Sequence, residues 1–179
     1  MTMKYNLLAT TEKITMGAAC SQLWMNLRAL GDKEPRVNKT RIRGIIWGET
    51  TMEPVEAIRG LREHMKEEPD RYDKLFRILP VLAWVNTSIE DIVAEVKNQK
   101  PRVGEGDTFR VTVEKRRTEL RSLEVIEPVA DVFDNPVDLE TPDWVVLIEI
   151  MGDKTGVSIV PDDALFQVQI ERAKLIFSS

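Results

Sequence analysis

The residues best suited to chemistry in this sequence are basic. Between Lys97 and Arg121 stand Lys97, Lys100, Arg102, Arg110, Lys115, Arg116, Arg117 and Arg121, opposed by Glu105, Asp107, Glu114 and Glu119. That is a local excess of four positive charges in a chain whose formal net charge is −5. Neutralising phosphates requires clustered Lys and Arg, so the distribution carries more information than the acidic total. The run Lys115-Arg116-Arg117 falls just after a strand and before a helix, where α/β sheets present ligand loops. Arg121 falls in the first turn of that helix, where the helix dipole disfavours a cation and an anionic partner would explain it. An RNA or phosphate site and a solvated surface are the two readings this cluster leaves open. A second basic run comprises Arg36, Lys39, Arg41 and Arg43.

Other chemistries find little support. One Cys and one His cannot form a three- or four-ligand Cys/His zinc site, and one Cys cannot form a disulfide within the chain. This usage points to an intracellular, cytoplasmic protein. A Ser-His-Asp triad would have to use His64, which lies in the charged run Arg62–Glu67 and reads as a solvated helix position. Gly104-Glu105-Gly106-Asp107 lacks the Lys-Ser/Thr of a phosphate loop and precedes a strand, so it reads as a turn. Acidic pairs such as Glu67-Glu68 and Asp162-Asp163 carry no assigned chemistry. No active site, cofactor or metal is specified, so the reading is of a non-enzyme. The alternative is an enzyme or a small-molecule or nucleotide sensor whose site the motifs do not show. No apolar stretch reaches the ~18 residues of a membrane span, and the N-terminus lacks a signal-peptide core.

The elements that position these residues follow from periodicity. A chain of 179 residues, 42% hydrophobic and 31% charged, suits one soluble globular domain or two small ones. Tyr5–Ala9 reads as a strand. A helix capped by Thr11 follows, with Met16, Ala19, Leu23, Leu27 and Leu30 at helical spacing and Gly31 as its stop. Asp32–Lys39 is a polar loop or irregular edge strand, and Arg41–Trp47 a strand with Ile42, Gly44 and Ile46 on one side. Pro54 opens a second helix with Val55, Ile58, Leu61 and Met65 as its stripe. Phe76–Trp84 reads as a strand interrupted at Pro80. Residues 1–79 thus read β-α-β-β-α-β, a ferredoxin-like unit. Residues 80–179 read as α/β. Ser88 and Asp91 resemble a capping box before a helix through Val96. Thr108–Glu114 alternates as a strand, and Leu120–Phe133 forms a helix with a kink at Pro128. Trp144–Ile150 reads as a strand buried on both faces, and Val157–Val160 as a last short strand.

The second half resembles a THUMP domain, a tRNA-binding module. The resemblance is carried by Phe76-Arg-Ile-Leu-Pro80, Thr108-Phe-Arg-Val-Thr-Val-Glu-Lys-Arg-Arg117, Val137-Asp-Leu-Glu-Thr-Pro-Asp143 and Val146-Leu-Ile-Glu-Ile150. The whole chain is similar to stand-alone THUMP proteins that assist tRNA cytidine acetylation, in which a ferredoxin-like region precedes the THUMP domain. That resemblance implies an RNA-binding adaptor holding the acceptor end of a tRNA while a separate acetyltransferase makes N4-acetylcytidine. It places Lys115, Arg116 and Arg117 in the family's basic stretch, Arg77 at the Arg before Leu-Pro, and Asp138 and Asp143 at its later acidic positions. For Asp138 we expect turn capping. Arg121, Lys97, Lys100 and Arg102 complete the expected RNA-binding set and are expected to converge with Lys115, Arg116 and Arg117 on one surface, whereas Arg77 could equally form a structural ion pair between the two domains. No membrane partner is implied.

Overall fold

The computed structural model describes residues 4–178, which divide into two compact units: residues 4–80 with 163–178, and residues 81–162. The first unit contains β1 (Leu7–Thr11), α1 (Met16–Ala29), β2 (Arg36–Lys39), β3 (Ile45–Glu49), α2 (Pro54–Glu67) and β4 (Leu75–Pro80). Its sheet has the order β2-β3-β1-β4 with every pairing antiparallel, the ferredoxin-like arrangement expected from the element order. Leu7, Ala9, Ile46 and Ile78 of the sheet meet Leu23 and Leu27 of α1 and Ile58 and Leu61 of α2 in one core. Pro54 starts α2 as expected, and the Glu53 carboxylate accepts from the N–H groups of Val55 (3.1 Å) and Glu56 (2.8 Å).

Two local expectations fail for identifiable reasons. The helix after β1 starts at Met16 rather than following a Thr11 cap. The strand expected from Arg41 starts only at Ile45, because Arg41–Gly44 form a turn. The Thr40 hydroxyl donates within that turn and accepts from the Ile42 N–H (3.0 Å), and Gly44 adopts φ +87°. A side chain at that φ is strained, so alternating Ile42 and Gly44 imitates a strand without forming one.

Past α1, Asp32 is 1% exposed and organises the entry to α2. Its carboxylate accepts from the hydroxyls of Thr50 and Thr51 (both 2.6 Å) and from the N–H groups of Thr51 (3.0 Å) and Glu34 (3.2 Å). Burial alone would push its pKa up, but these hydrogen bonds together hold it below the ordinary carboxylate value. A carboxylate with a depressed folded pKa contributes stability that is complete above its unfolded value of ~3.9 and is lost as pH falls through the folded value. We therefore expect Asp32→Ala to cost ~1.5–3 kcal/mol at neutral pH, with the deficit shrinking in acid below about pH 4. Urea unfolding at several pH values checks this; a pH-independent deficit would refute the assignment.

A helix that the sequence reading did not anticipate, α5 (Val168–Phe177), also belongs to the first unit. Phe166, fully buried, exchanges backbone hydrogen bonds with Ile78 at 2.9 and 3.1 Å, and so extends the sheet beyond β4 by one bridge. Arg62 of α2 fixes the segment. Its guanidinium pairs with Glu171 (2.7 Å), donates to Leu165 O (3.0 Å) and lies 5.1 Å from the Phe166 ring centroid. Residues 163–178 therefore pack with the first unit and not with the second, to which the sequence division at 79/80 had assigned them.

The second unit contains β5 (Ala83–Asn86), α3 (Ile89–Gln99), β6 (Phe109–Arg116), α4 (Ser122–Ala130), β7 (Trp144–Met151) and β8 (Lys154–Pro161). Its order is β5-β8-β7-β6, with β6 and β7 parallel and the other pairs antiparallel. Phe109, Val146, Ile148, Val157 and Ile159 pack against Ile92 and Val96 of α3 and Val125 and Val129 of α4. Ser88 caps α3 as expected, accepting from the Asp91 N–H at 3.1 Å. Strands β7 and β8 meet in a two-residue hairpin at Gly152-Asp153, where Gly152 supplies the positive φ (+70°) of a type II′ turn. The Phe76–Trp84 stretch resolves into β4 and β5, which belong to different sheets and are separated just past Pro80.

Candidate nucleic-acid interface

Strand β6 runs two residues further than its alternation suggested, because parallel pairing with β7 continues through Arg116↔Met151. Lys115 and Arg116 are therefore strand residues, and only Arg117 lies in the loop. Arg116 is not presented to solvent. Its guanidinium meets Glu149 of β7 at 2.5 Å, with the two side chains 14% and 1% exposed. Arg117 is exposed and occupies the left-handed region at φ +54°, unusual for a residue with a side chain. The Gly152 N–H donates to Arg116 O (2.9 Å) and brings the β7–β8 hairpin beside this turn.

Arg121 is the N-cap of α4 rather than a residue of its first turn. Glu124 accepts from both its backbone N–H (3.3 Å) and its Nε (3.0 Å). The anion at this helix start is thus Glu124 itself, whose pKa is lowered chiefly by the Arg121 side chain and then by its N–H. Arg121 therefore does not by itself require an external anion, contrary to the reading from the helix dipole. It remains solvent-exposed, and with Lys115, Ser122, Leu123, Glu124 and Glu127 it lines an open groove of about 520 Å³. The Lys115 ammonium lies 3.4 Å from Leu120 O.

The other predicted cations do not converge here. Helix α3 runs back along the sheet away from Lys115, ending over the middle of β8, and of Lys97, Lys100 and Arg102 it is Arg102 that reaches the opposite end. The Gln99 side-chain amide donates to Val157 O (2.9 Å) and accepts from Ile159 N (2.8 Å). Arg102 donates to Ile159 O (2.9 Å), and its guanidinium lies 6.0 Å from the Trp144 ring, at the start of β7. The eight residues of β6 separate this end from Lys115 and Arg117 by roughly 25 Å. Arg77 lies in β4 of the first unit, opposite Thr10. Within the second unit, the basic set expected on one surface is therefore split.

Both ends carry charges of both signs. Loops at the amino end of the parallel pair carry Glu105, Asp134, Asp138, Glu140, Asp143 and Asp162. Several have structural work. Asp138 caps a turn as expected, accepting from the N–H groups of Glu140 and Thr141 (both 3.0 Å), which hold its pKa low. Asp143 accepts from the Thr108 N–H (2.9 Å) and hydroxyl (3.1 Å). Asp107 accepts from the Trp144 indole and the Gly104 N–H, confirming Gly104–Asp107 as a braced turn. At the carboxyl end α3 and α4 both begin, and Lys115, Arg117, Arg121 and Lys154 stand there with Glu90, Asp91, Glu119, Glu124 and Asp153. Lys154, which the sequence reading passed over, donates to Asn86 Oδ1 at 2.7 Å. Its signal was the Gly-Asp hairpin just before it.

His64 is not simply solvated: its Nδ1 lies 2.8 Å from the hydroxyl of Tyr72, whose pKa burial pushes up. Among the described residues no group of three or more His, Cys, Asp or Glu is placed to hold a metal, and no helix is long and apolar enough to cross a membrane.

Comparison with known proteins adds a family to this geometry. Residues 86–160 match the family model described as the THUMP domain. No curated protein matches the chain. Among solved structures, PH1313 from Pyrococcus horikoshii Ot3 is similar at 21% identity over 87% of this chain and 55% of its own, with a TM-score of 0.63. TrmN from Thermus thermophilus is similar at 20% identity over 86% of this chain and 44% of its own, with a TM-score of 0.56. A 4-thiouridine synthetase, solved as a complex with RNA and bound ATP, is similar at 12% identity over 92% of this chain and 42% of its own, with a TM-score of 0.53. The chain thus spans about half or less of the length of these proteins, and the likeness is one of fold. The THUMP-domain match thus falls on the second unit, over the four-stranded sheet β5-β8-β7-β6.

Proposed function

We propose that this chain binds tRNA and presents it to a separate modifying enzyme, acting as an adaptor in N4-acetylcytidine formation and not as the catalyst. The observation that carries the reading is the THUMP domain joined to a ferredoxin-like unit, a combination whose fold spans 92% of this chain in its likeness to a synthetase solved with RNA bound. The carboxyl end of the β6–β7 pair is the surface we assign to the RNA. Lys115, Arg117, Arg121 and Lys154 supply cations there that can meet phosphate oxygens. Such contacts read backbone and shape rather than base edges, as suits a structured tRNA end. The acidic chain as a whole favours binding assisted by a partner enzyme, an acetyltransferase in this reading.

The test is recovery of RNA on the tagged chain from native lysate with sequencing, followed by titration of the purified protein with the recovered species. We expect tRNA to be enriched. Three to four phosphate contacts give an affinity whose logarithm falls with log salt at a slope of roughly −2 to −4. Enrichment of no RNA class, or an affinity flat in salt, would overturn RNA binding. Conversion of tRNA cytidine and an acetyl donor by the purified chain alone would overturn the adaptor role.

A further inference from the structure

A second surface lies in the first unit, on the basic run Arg36, Lys39, Arg41 and Arg43 that the RNA reading does not use. Strand β2 is terminal in its sheet. The Thr40 N–H donates to Ile45 O (3.2 Å), which sets the alternation of the antiparallel ladder. Arg36 and Asn38 accordingly turn their backbone groups toward β3, and Val37 and Lys39 turn theirs outward. Among the described residues no strand pairs with that outward edge.

Beside the edge, α1 leaves large apolar side chains in solvent: Trp24 is 45% exposed and Met25 54%. With Cys20, Ser21 and Val37 they line an apolar groove of about 420 Å³. The groove is preformed, because the Trp24 indole N–H donates to Pro35 O at 3.1 Å and so fixes the ring against the start of β2. Lys39 shares the face of β2 that Val37 presents to the groove, Arg36, Arg41 and Arg43 are exposed on the same strand and the turn after it, and no carboxylate occurs from Pro35 to Trp47. Cations on an edge strand can serve only to discourage pairing. That role does not call for an adjacent apolar groove with an ordered Trp.

We propose that β2 and the α1 groove dock an extended, acidic segment of a partner protein. The segment adds a strand to the outward edge of β2, places an apolar side chain between Trp24 and Val37, and sets its carboxylates against the surrounding cations. RNA could meet the cations and stack on Trp24, but it has no ladder to offer the outward N–H and C=O groups of Val37 and Lys39. The inference is independent of the tRNA reading, since it concerns a different ligand on a different unit.

The probe is a short acetylated and amidated peptide alternating glutamate with leucine, with a lysine–leucine peptide as its charge-reversed control. It is titrated into the isotope-labelled full chain and followed by NMR. We expect the acidic peptide alone to shift the amide signals of Val37 and Lys39 and the indole signal of Trp24, and tRNA to leave them unmoved. Lys39→Ala removes one charge and is expected to weaken binding about threefold, whereas Lys39→Pro also removes the outward N–H and is expected to weaken it about tenfold or more. Proline is compatible with that position because the lost donor faces away from β3. Equal effects of the two substitutions would overturn strand addition. Should Lys39→Pro unfold, Met25→Glu places a like charge in the groove on an exposed helical position, and unchanged peptide binding by that variant would overturn the proposal. Shifts caused by tRNA and not by the peptide would assign the face to RNA, and the absence of shifts with either would make it a blunted edge; both outcomes overturn the docking reading.

Discussion

Arg116→Ala is expected to lower stability by ~3–5 kcal/mol, because it removes the cation paired with a buried carboxylate in the second unit. Glu149 is 1% exposed within a strand otherwise apolar from Trp144 to Ile150, and the Arg116 guanidinium lies 2.5 Å from it. Removing the cation takes a charged partner from a carboxylate that burial keeps from water. The companion Arg116→Met, Glu149→Leu is expected to recover most of the loss, since a buried pair replaced by apolar groups of similar volume is often neutral or better. Chemical denaturation of the three proteins measures both effects. A loss for Arg116→Ala within about 0.5 kcal/mol, as for an exposed charge, would show that the pair does not hold the sheet. The consequence for binding work is direct: a variant lacking both Arg116 and Arg117 would lose tRNA by unfolding and report nothing about contact.

The larger effect on function is expected from the carboxyl end of the parallel strands. Replacing Lys115, Arg117 and Arg121 together with Ala should weaken tRNA binding by ~1–3 kcal/mol or more and flatten the salt dependence by about one unit of slope per lost phosphate contact. The same treatment of Lys97, Lys100 and Arg102 should leave affinity nearly unchanged, because α3 carries them away from the Arg117 turn and Arg102 is already held by Ile159 O. The melting temperature of the first variant should hold, since exposed charges are worth little to the fold. Arg117→Gly is a sharper single change. It removes the charge while relieving a left-handed backbone at φ +54°, so stability should hold or rise while affinity falls. Weaker binding by the Lys97 set and not by the Lys115 set would reverse the assignment of the interface.

The sequence was most legible where one rule acted locally. Pro54 behind Glu53, Ser88 before Asp91 and the alternation of Phe109, Val111 and Val113 each name their structure without help from distant residues. Arg116 was misread because its partner is on another strand. The signal was available in Trp144–Ile150, where a lone Glu149 in an apolar run demands a cation, but only the parallel register says which one. Arg121 was misread although Glu124 stood three residues on, since a capping residue usually accepts through its side chain and this one is instead bound as a donor. The split of the basic set was hidden for a topological reason: sequence proximity of Lys100 and Lys115 says nothing once β6 has carried the chain the length of the sheet. Helix α5 was missed because only Val168 of it is buried, which leaves little apolar periodicity to find.

The return of residues 163–178 to the first unit fixes an order of events during synthesis. The second unit is an insertion between β4 and Phe166, so all of its strands have been made before Phe166 reaches Ile78. A chain emerging from the ribosome can therefore complete the THUMP domain while the ferredoxin-like sheet still lacks its last bridge and the Arg62–Glu171 pair. The domain made second is ready first, and the unit that begins the chain is sealed by its end.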